Sequence, residues 1–134
     1  MSQENVEVLR SVYDAYARRD SITPFKAYAP DIEWDLTGLA HLDGATVYHG
    51  YEGVRAGFRD LLSAFRDFQF QPEELRDAGD RVLATVHEHG VGRASGIIVD
   101  RRHYALWTFR EGKIVRLRVY LDRNEALEAA GLSE

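Results

Sequence analysis

The segment His87-Glu88-His89 places three side chains with acid–base or metal-binding chemistry next to one another. In an extended strand the side chains at i and i+2 share a face, so His87 and His89 could chelate a metal ion. That pattern also needs a carboxylate three or four residues later, but positions 92 and 93 are Gly and Arg. We therefore favour a solvated or interface-facing pair of histidines over a metal site, and we expect no cofactor.

Glu88 is the residue between these two histidines. If His87 and His89 face outward, strand alternation turns Glu88 inward together with the apolar residues before it. A carboxylate in an apolar cavity is a candidate acid or base. The alternative is that the strand leaves the core at this point and that the Glu88 carboxylate is hydrated.

Aromatic residues with polar tips form a second group of candidates. Tyr13 and Tyr16 lie on the apolar side of a predicted helix, and Trp34 and Trp107 lie on strand faces that we assign inward. Such residues are either packed core aromatics or flat walls of a pocket, where O–H and N–H groups orient a ring-shaped ligand.

His49 stands immediately before a predicted helix. The dipole at a helix N-terminus disfavours the imidazolium, which would leave a neutral ring suited to catalysis. His49 could equally anchor the loop through a hydrogen bond. A nucleophilic triad has little support, because Ser95 lies in a glycine-rich link and the chain has no cysteine.

The first part of the chain has the period of helices. Val6, Leu9 and Tyr13 follow the spacing of one helical face, which predicts an amphipathic helix over residues 3–19. Thr23 and Pro24 open a short helical segment, and a third helix is predicted over 52–65.

The remainder has the period of strands. We predict a first strand from Ile32 and later strands over 67–75, 81–90, 97–110 and 113–121, followed by a short helix that Asp122 caps. Residues 37–53 contain several glycines and no clear period, so we predict a loop there. Helices that cover one side of a curved sheet form a cone, whose wide end leaves an apolar pocket.

The 134 residues have the composition of one globular domain, with 45% hydrophobic and 29% charged residues. The net charge of −5 argues against nucleic acid as a partner. No apolar run is long enough to span a membrane, and residues 1–9 do not have the pattern of a signal peptide. We expect a cytoplasmic protein that binds a small apolar or cyclic molecule.

Three stretches resemble the SnoaL-like branch of the nuclear-transport-factor-2-like superfamily: YHGYEGVR at 48–55, WTFREGKIVR at 107–116 and VYLD at 119–122. The resemblance covers essentially the whole chain. It implies one domain over 1–134, of class α+β, with a cone-shaped curved antiparallel sheet around three N-terminal helices and a short C-terminal helix. The superfamily contains steroid delta-isomerases, polyketide cyclases and members without chemistry, so fold alone does not give function.

The resemblance also allows each catalytic position of the family to be compared with the residue that this sequence has there. Tyr13 matches the tyrosine that donates to the oxyanion in steroid delta-isomerases. Leu36 stands where those enzymes have the catalytic base, Ala105 where they have a protonated acid, and Phe58 where they have a supporting tyrosine. Polyketide cyclases of this type use a His and an Asp on late strands, and of these only His103 has a counterpart. Each known constellation is therefore incomplete.

The resemblance implies that the strand face that carries His103 lines the pocket, which makes His103 the first choice of titrating group. We predict His103, Tyr13 and Glu88 as catalytic residues. The predicted ligand-binding residues are Tyr16, Trp34, Leu36, His49, Phe58, Ala105, Trp107, Leu117 and Val119.

Three functions remain open at this point. The first is a cofactor-independent isomerase, cyclase or hydro-lyase that acts on a cyclic or polyketide-like substrate by general acid–base chemistry. The second is a binding module without catalysis, and the third is a dimeric interaction domain. We also expect a homodimer through the outer sheet face. Five arginines around the last hairpin suit an interface or a solvated face: Arg101, Arg102, Arg110, Arg116 and Arg118.

Overall fold

The computed structural model describes residues 2–39 and 47–133, and its first element is the amphipathic helix α1 (Ser2–Ala17). Val6, Leu9 and Tyr13 are buried on its inner side, as the helical period predicted. The helix ends before Arg19, whose φ of 60° is left-handed. The following 3₁₀ turn (Thr23–Lys26) has Pro24 in its first turn, as predicted, while its N-cap is Ile22.

Within residues 2–39 and 47–133, six strands form one sheet, in the order β2-β1-β6-β5-β4-β3. Their bounds are β1 Tyr28–Asp35, β2 Val47–His49, β3 Phe65–Asp77, β4 Arg81–Gly92, β5 Ile98–Arg110 and β6 Lys113–Tyr120. Antiparallel pairing is confirmed for every neighbouring pair except one, because β1 lies parallel to β6. The sheet is therefore mixed, with an antiparallel meander from β3 to β6.

Helix α2 (Gly50–Ala64) joins the two edges of the sheet and packs on β1. Gly57 allows the close approach, because a Cβ atom there would lie 2.9 Å from two ring atoms of Trp34. The predicted loop before α2 was wrong in part, since it contains a 3₁₀ turn (Thr37–Leu39) and the strand β2. A three-residue strand is too short to show a period, so the sequence pattern missed it.

Helix α3 (Arg123–Ala130) packs on the outer face of the sheet. The Asp122 carboxylate accepts hydrogen bonds from the backbone N–H groups of Asn124 and Glu125, at 2.8 Å and 3.3 Å, which confirms the predicted cap. Leu127 forms a small apolar cluster with Leu83 and Leu106 of the sheet. The chain thus covers part of its own outer face.

The larger core lies between the concave face of the sheet and the helices α1 and α2. No helix among the described residues is both long enough and apolar enough to cross a membrane. The arrangement is an α+β fold in which an unclosed, curved sheet is lined by helices on its inner side.

Candidate functional site

An aromatic cavity of about 670 Å³ lies between α1, the end of α2 and the edge strand β3. Among the described residues, five aromatic rings line it: Tyr13, Tyr16, Phe58, Phe68 and Phe70. Rings from three elements converge here, where β3 forms one edge of the sheet in the part of the chain that the structure describes. A concave aromatic wall of this size suits a ring-shaped organic molecule.

The rim of the aromatic cavity carries balanced charge. Arg10 and Arg19 contribute two cations, and Asp14 and Asp20 contribute two carboxylates. The Asp20 carboxylate also accepts hydrogen bonds from the N–H groups of Ile22 and Thr23, both at 3.0 Å. A hydrogen bond from the Thr23 hydroxyl, followed by these two backbone bonds, lowers the pKa of Asp20 to about 2. The rim therefore gives no strong preference for a charged ligand.

Tyrosine hydroxyls are the hydrogen-bonding groups on the aromatic wall. The Tyr13 hydroxyl oxygen accepts a hydrogen bond from Trp107 Nε1 at 3.1 Å, so its own hydrogen remains available to donate. The hydroxyl of Tyr16 shares a hydrogen bond with that of Tyr28. Burial raises the pKa of all three tyrosines well above the ordinary value, so each hydroxyl stays neutral and can act as a donor.

The two tryptophans form a second layer behind the aromatic wall. Trp107 packs edge-on against Tyr13, with ring centroids 5.8 Å apart, and Trp34 packs against Phe58 at 4.8 Å. Both indoles are buried, and neither lines the cavity. The nitrogen Nε1 of Trp34 has no hydrogen-bond partner among the residues that the structure describes. Trp34 and Trp107, which we predicted as ligand-binding residues, therefore lie behind the wall to which Tyr13 and Phe58 contribute.

A buried polar cluster lies deeper in the concave side. His103 Nδ1 and Glu88 Oε1 are 2.9 Å apart, and each residue is 1% exposed. The alternative of a hydrated Glu88 is therefore wrong. When Nδ1 donates to the carboxylate, Nε2 is the nitrogen of neutral His103 that accepts a proton. A carboxylate that orients an imidazole in this way is the arrangement of a general base and its positioning group.

Arg101 completes the buried cluster. Its Nε atom lies 3.5 Å from Glu88 Oε1, and its Nη2 atom donates to the backbone carbonyl of Leu39 at 2.6 Å. The placement of Arg101 on an interface or a solvated face was wrong. In the antiparallel register Arg101 lies directly opposite Glu88, so the two side chains share the inner face. A guanidinium beside a buried carboxylate stabilises its ionised form.

Phe70 connects the aromatic cavity with the buried cluster. Its ring lines the cavity and also packs edge-on against the His103 ring, with centroids 4.8 Å apart and planes at 83°. His103 and Glu88 themselves do not line the cavity. The candidate base is therefore one aromatic ring away from the space in which a ligand would sit.

The remaining predicted binding residues lie elsewhere. Leu36, Ala105, Leu117 and Val119 are buried in the core on the concave side of the sheet, outside the cavity lining. His49 is exposed at the end of β2, and its side chain makes no capping hydrogen bond to α2. Of the twelve predicted site residues, those at the aromatic cavity are Tyr13, Tyr16 and Phe58.

The two histidines beside Glu88 lie on the outer face of the sheet, as the alternation predicted. His87 Nε2 and His89 Nδ1 share the carboxylate of Asp100, at 2.7 Å and 3.2 Å. All three side chains are more than a third exposed. Among the described residues, no group of three or more His, Cys, Asp or Glu residues has an arrangement that could hold a metal ion.

Sequence reasoning missed the contribution of β3 to the aromatic cavity. Phe68 and Phe70 alternate along β3 and therefore share a face, and this spacing is the signal that could have identified the wall. The sequence does not reveal that β3 is an edge strand facing α1. The inward position of Arg101 could have been predicted from strand alternation, because Arg101 lies two residues from His103 on the same strand and so shares its face.

Comparison with known proteins identifies the family and the fold of this chain. The model of the SnoaL-like domain family matches residues 9–117. An NTF2-like protein from Burkholderia thailandensis is 27% identical, with a TM-score of 0.79 over 96% of this chain and 98% of that one. A SnoaL-like protein from Jannaschia sp. CCS1, described as a putative polyketide cyclase, is 17% identical, with a TM-score of 0.75 over 99% and 95%.

A further structural neighbour is TerC, co-crystallised with polyporic acid. It is 21% identical, with a TM-score of 0.77 over 96% of this chain and 98% of that one. No curated protein matches the chain. The family match covers most of the sequence, so the chain belongs to the SnoaL-like domain family and has the NTF2-like fold.

Proposed function

We propose that this SnoaL-like protein binds a small, largely apolar ring compound in the aromatic cavity. The observation that carries the proposal is the cavity itself, about 670 Å³ in volume and walled by five aromatic rings. Sites for small organic molecules enclose roughly 300–1,000 Å³ and are mostly apolar with a few polar groups. Here Tyr13 supplies the polar group, because its hydroxyl hydrogen is available to an oxygen atom of the ligand.

The proposed binding can be tested with 2-naphthol, a bicyclic compound with one hydroxyl, by isothermal titration calorimetry. Phe58→Leu should weaken binding about fivefold because it removes part of the aromatic wall. Phe109→Leu is the matched control, since Phe109 is a buried phenylalanine outside the cavity lining. Absence of binding up to millimolar concentration, or an equal loss in both variants, would contradict the proposal.

A second candidate function is catalysis of the isomerase or cyclase type without a cofactor. The observation that favours it is the buried pair His103–Glu88, which Phe70 connects to the cavity. The similarity to a SnoaL-like protein described as a putative polyketide cyclase supports the same reaction class. This candidate keeps His103 as the base and Tyr13 as the hydrogen-bond donor, and it makes Glu88 the positioning group of His103 and not an alternative proton carrier.

The chemistry of this candidate is the removal of a proton from a carbon next to a carbonyl group. His103 Nε2 takes the proton, and the electron pair of the C–H bond moves into the enolate. Tyr13 donates a hydrogen bond to the oxygen on which the negative charge develops. Return of the proton at another carbon gives isomerisation, and attack of the enolate on a second carbonyl gives ring closure. Access of the substrate to His103 requires Phe70 to rotate away from the imidazole.

The catalytic candidate can be tested with 2-tetralone, a bicyclic ketone, by following deuterium exchange next to its carbonyl group by NMR. The protein should accelerate the exchange, and His103→Gln should lower that rate by ~10², the usual contribution of a general base. His87→Gln is the control, because His87 lies on the opposite face of the sheet. A His103→Gln variant with the full rate would reject His103 as the base.

Homodimer formation through the outer sheet face is also part of the proposal. Arg116, Arg118 and Tyr120 project on that face, where the Arg118 guanidinium lies 5.4 Å from the ring centroid of Tyr120. Helix α3 packs beside Tyr120 and would form the border of the interface. Sedimentation that detects only a 15 kDa species at high micromolar concentration would reject the dimer.

A further inference from the structure

A second cavity of about 380 Å³ lies beside the aromatic cavity. The two share Ser21, Phe58 and Leu62 as lining residues, so they are adjacent. The second cavity is formed by the 3₁₀ turn and the outer side of α2. Its remaining lining residues are Ile22, Phe25, Arg55 and Arg59.

The charge of the second cavity differs from that of the first. Two arginines one helical turn apart line it, and no acidic residue does so in the described part of the chain. Arg55 is compensated, because it pairs with Glu52 and its guanidinium lies 4.7 Å from the ring centroid of Phe25. Arg59 makes no hydrogen bond or ion pair with any other described residue. The second cavity therefore presents one uncompensated cation.

Apolar side chains surround this cation. Ile22 is 76% exposed and Leu62 is 44% exposed, and both line the second cavity. Large apolar side chains that face solvent next to a cavity indicate a surface that a ligand covers. The combination of apolar walls and a single guanidinium suits an apolar molecule that has one anionic end.

We propose that the ligand of the aromatic cavity is a ring compound with a carboxylate group, and that Arg59 binds this carboxylate in the second cavity. The proposal rests on the proposed binding function and names its ligand class. A planar guanidinium binds a carboxylate through two parallel charge-assisted hydrogen bonds. Ile22 and Leu62 line the same cavity as Arg59, so apolar parts of the ligand can pack on them while its carboxylate pairs with the guanidinium.

The test compares 2-naphthoate with methyl 2-naphthoate, which have the same rings and differ in charge. Isothermal titration calorimetry of the full chain should give about fivefold tighter binding of the acid. Arg59→Gln should remove this preference, because it should weaken binding of the acid much more than binding of the ester. Arg110→Gln removes one arginine charge from the far hairpin and should retain the preference. The preference should also shrink in about 0.5 M NaCl, because salt screens the pair.

The possible failures are distinguishable. Equal affinity for the acid and the ester, or a preference for the acid that survives Arg59→Gln, would overturn the carboxylate assignment, while binding of either compound would uphold the aromatic cavity as a ligand site. Failure of both compounds to bind at millimolar concentration would reject the proposed binding function and the carboxylate assignment together.

Discussion

The inner and outer faces of the hairpin between β4 and β5 each carry a contact between histidine and carboxylate, but in opposite surroundings. On the inner face His103 contacts Glu88, with side chains 2% and 1% exposed. On the outer face His87 and His89 share Asp100, with side chains 38%, 37% and 55% exposed. The contact distances are similar, at 2.9 Å inside and 2.7–3.2 Å outside.

The difference in burial changes what each contact does. The inner carboxylate has little contact with water, so its charge depends on His103 and Arg101. The outer carboxylate is hydrated, and solvent screens its interaction with both histidines. Function is therefore expected on the inner face, where a shielded and oriented imidazole lies near the aromatic cavity.

The largest difference between the two faces should be in stability. Glu88→Ala removes the carboxylate from its buried contacts with His103 and Arg101, which should lower the free energy of unfolding by roughly 3 kcal/mol. Urea unfolding followed by circular dichroism measures this loss. Asp100→Ala is the matched variant on the outer face and should lose much less. Equal losses would show that burial does not separate the two contacts.

The second difference should be in chemical accessibility. Diethyl pyrocarbonate should modify His87 and His89 at least ~10-fold faster than His103, because a buried ring reacts only after local opening. Peptide mass mapping measures each histidine separately. Phe70→Ala should bring the rate of His103 closer to the outer rates, since it removes the ring between His103 and the cavity. An unchanged His103 rate in this variant would contradict that position of Phe70.

A smaller effect is expected when the outer contact alone is neutralised. Asp100→Asn keeps the shape of the side chain and removes its charge, so the melting temperature should change by about 3 °C or less. Differential scanning calorimetry provides the measurement, with Glu88→Gln as the inner counterpart. A larger change for Asp100→Asn than for Glu88→Gln would reverse the comparison.

The smallest effect should be on the loss of folding stability at acid pH. Hydrogen bonds from His87 and then His89 lower the pKa of Asp100 below its ordinary value of 3.8. A carboxylate with a lowered pKa stabilises the fold above its ordinary pKa, and that contribution is lost as the pH falls through the pKa of the folded state. Asp100→Asn should therefore reduce the loss of stability below about pH 4. If the unmodified protein and the Asp100→Asn variant lost stability equally below about pH 4, the proposed link between the pKa of Asp100 and stability would be refuted.

Periodicity in the sequence predicted most of the elements, because each is long enough to repeat its own pattern. The helix predicted over 52–65 is observed at Gly50–Ala64, and the last hairpin has its predicted arms and turn. The short strand β2 was missed because three residues hold no repeat. The parallel pairing of β1 with β6 joins residues far apart in the chain, and no local pattern encodes it.

For the site, the sequence by itself determined residue types and faces. Alternation turned Glu88 inward and its two neighbours outward, and the helical period placed Tyr13 on the buried side of α1. Tertiary structure alone decided which of these inward residues meet open space. Because β3 is an edge strand opposite α1, the cavity formed against Phe68 and Phe70, while the tryptophans and His103 were packed behind that wall. Strand order and helix packing are set by contacts between distant segments, and a pattern along one segment does not contain them.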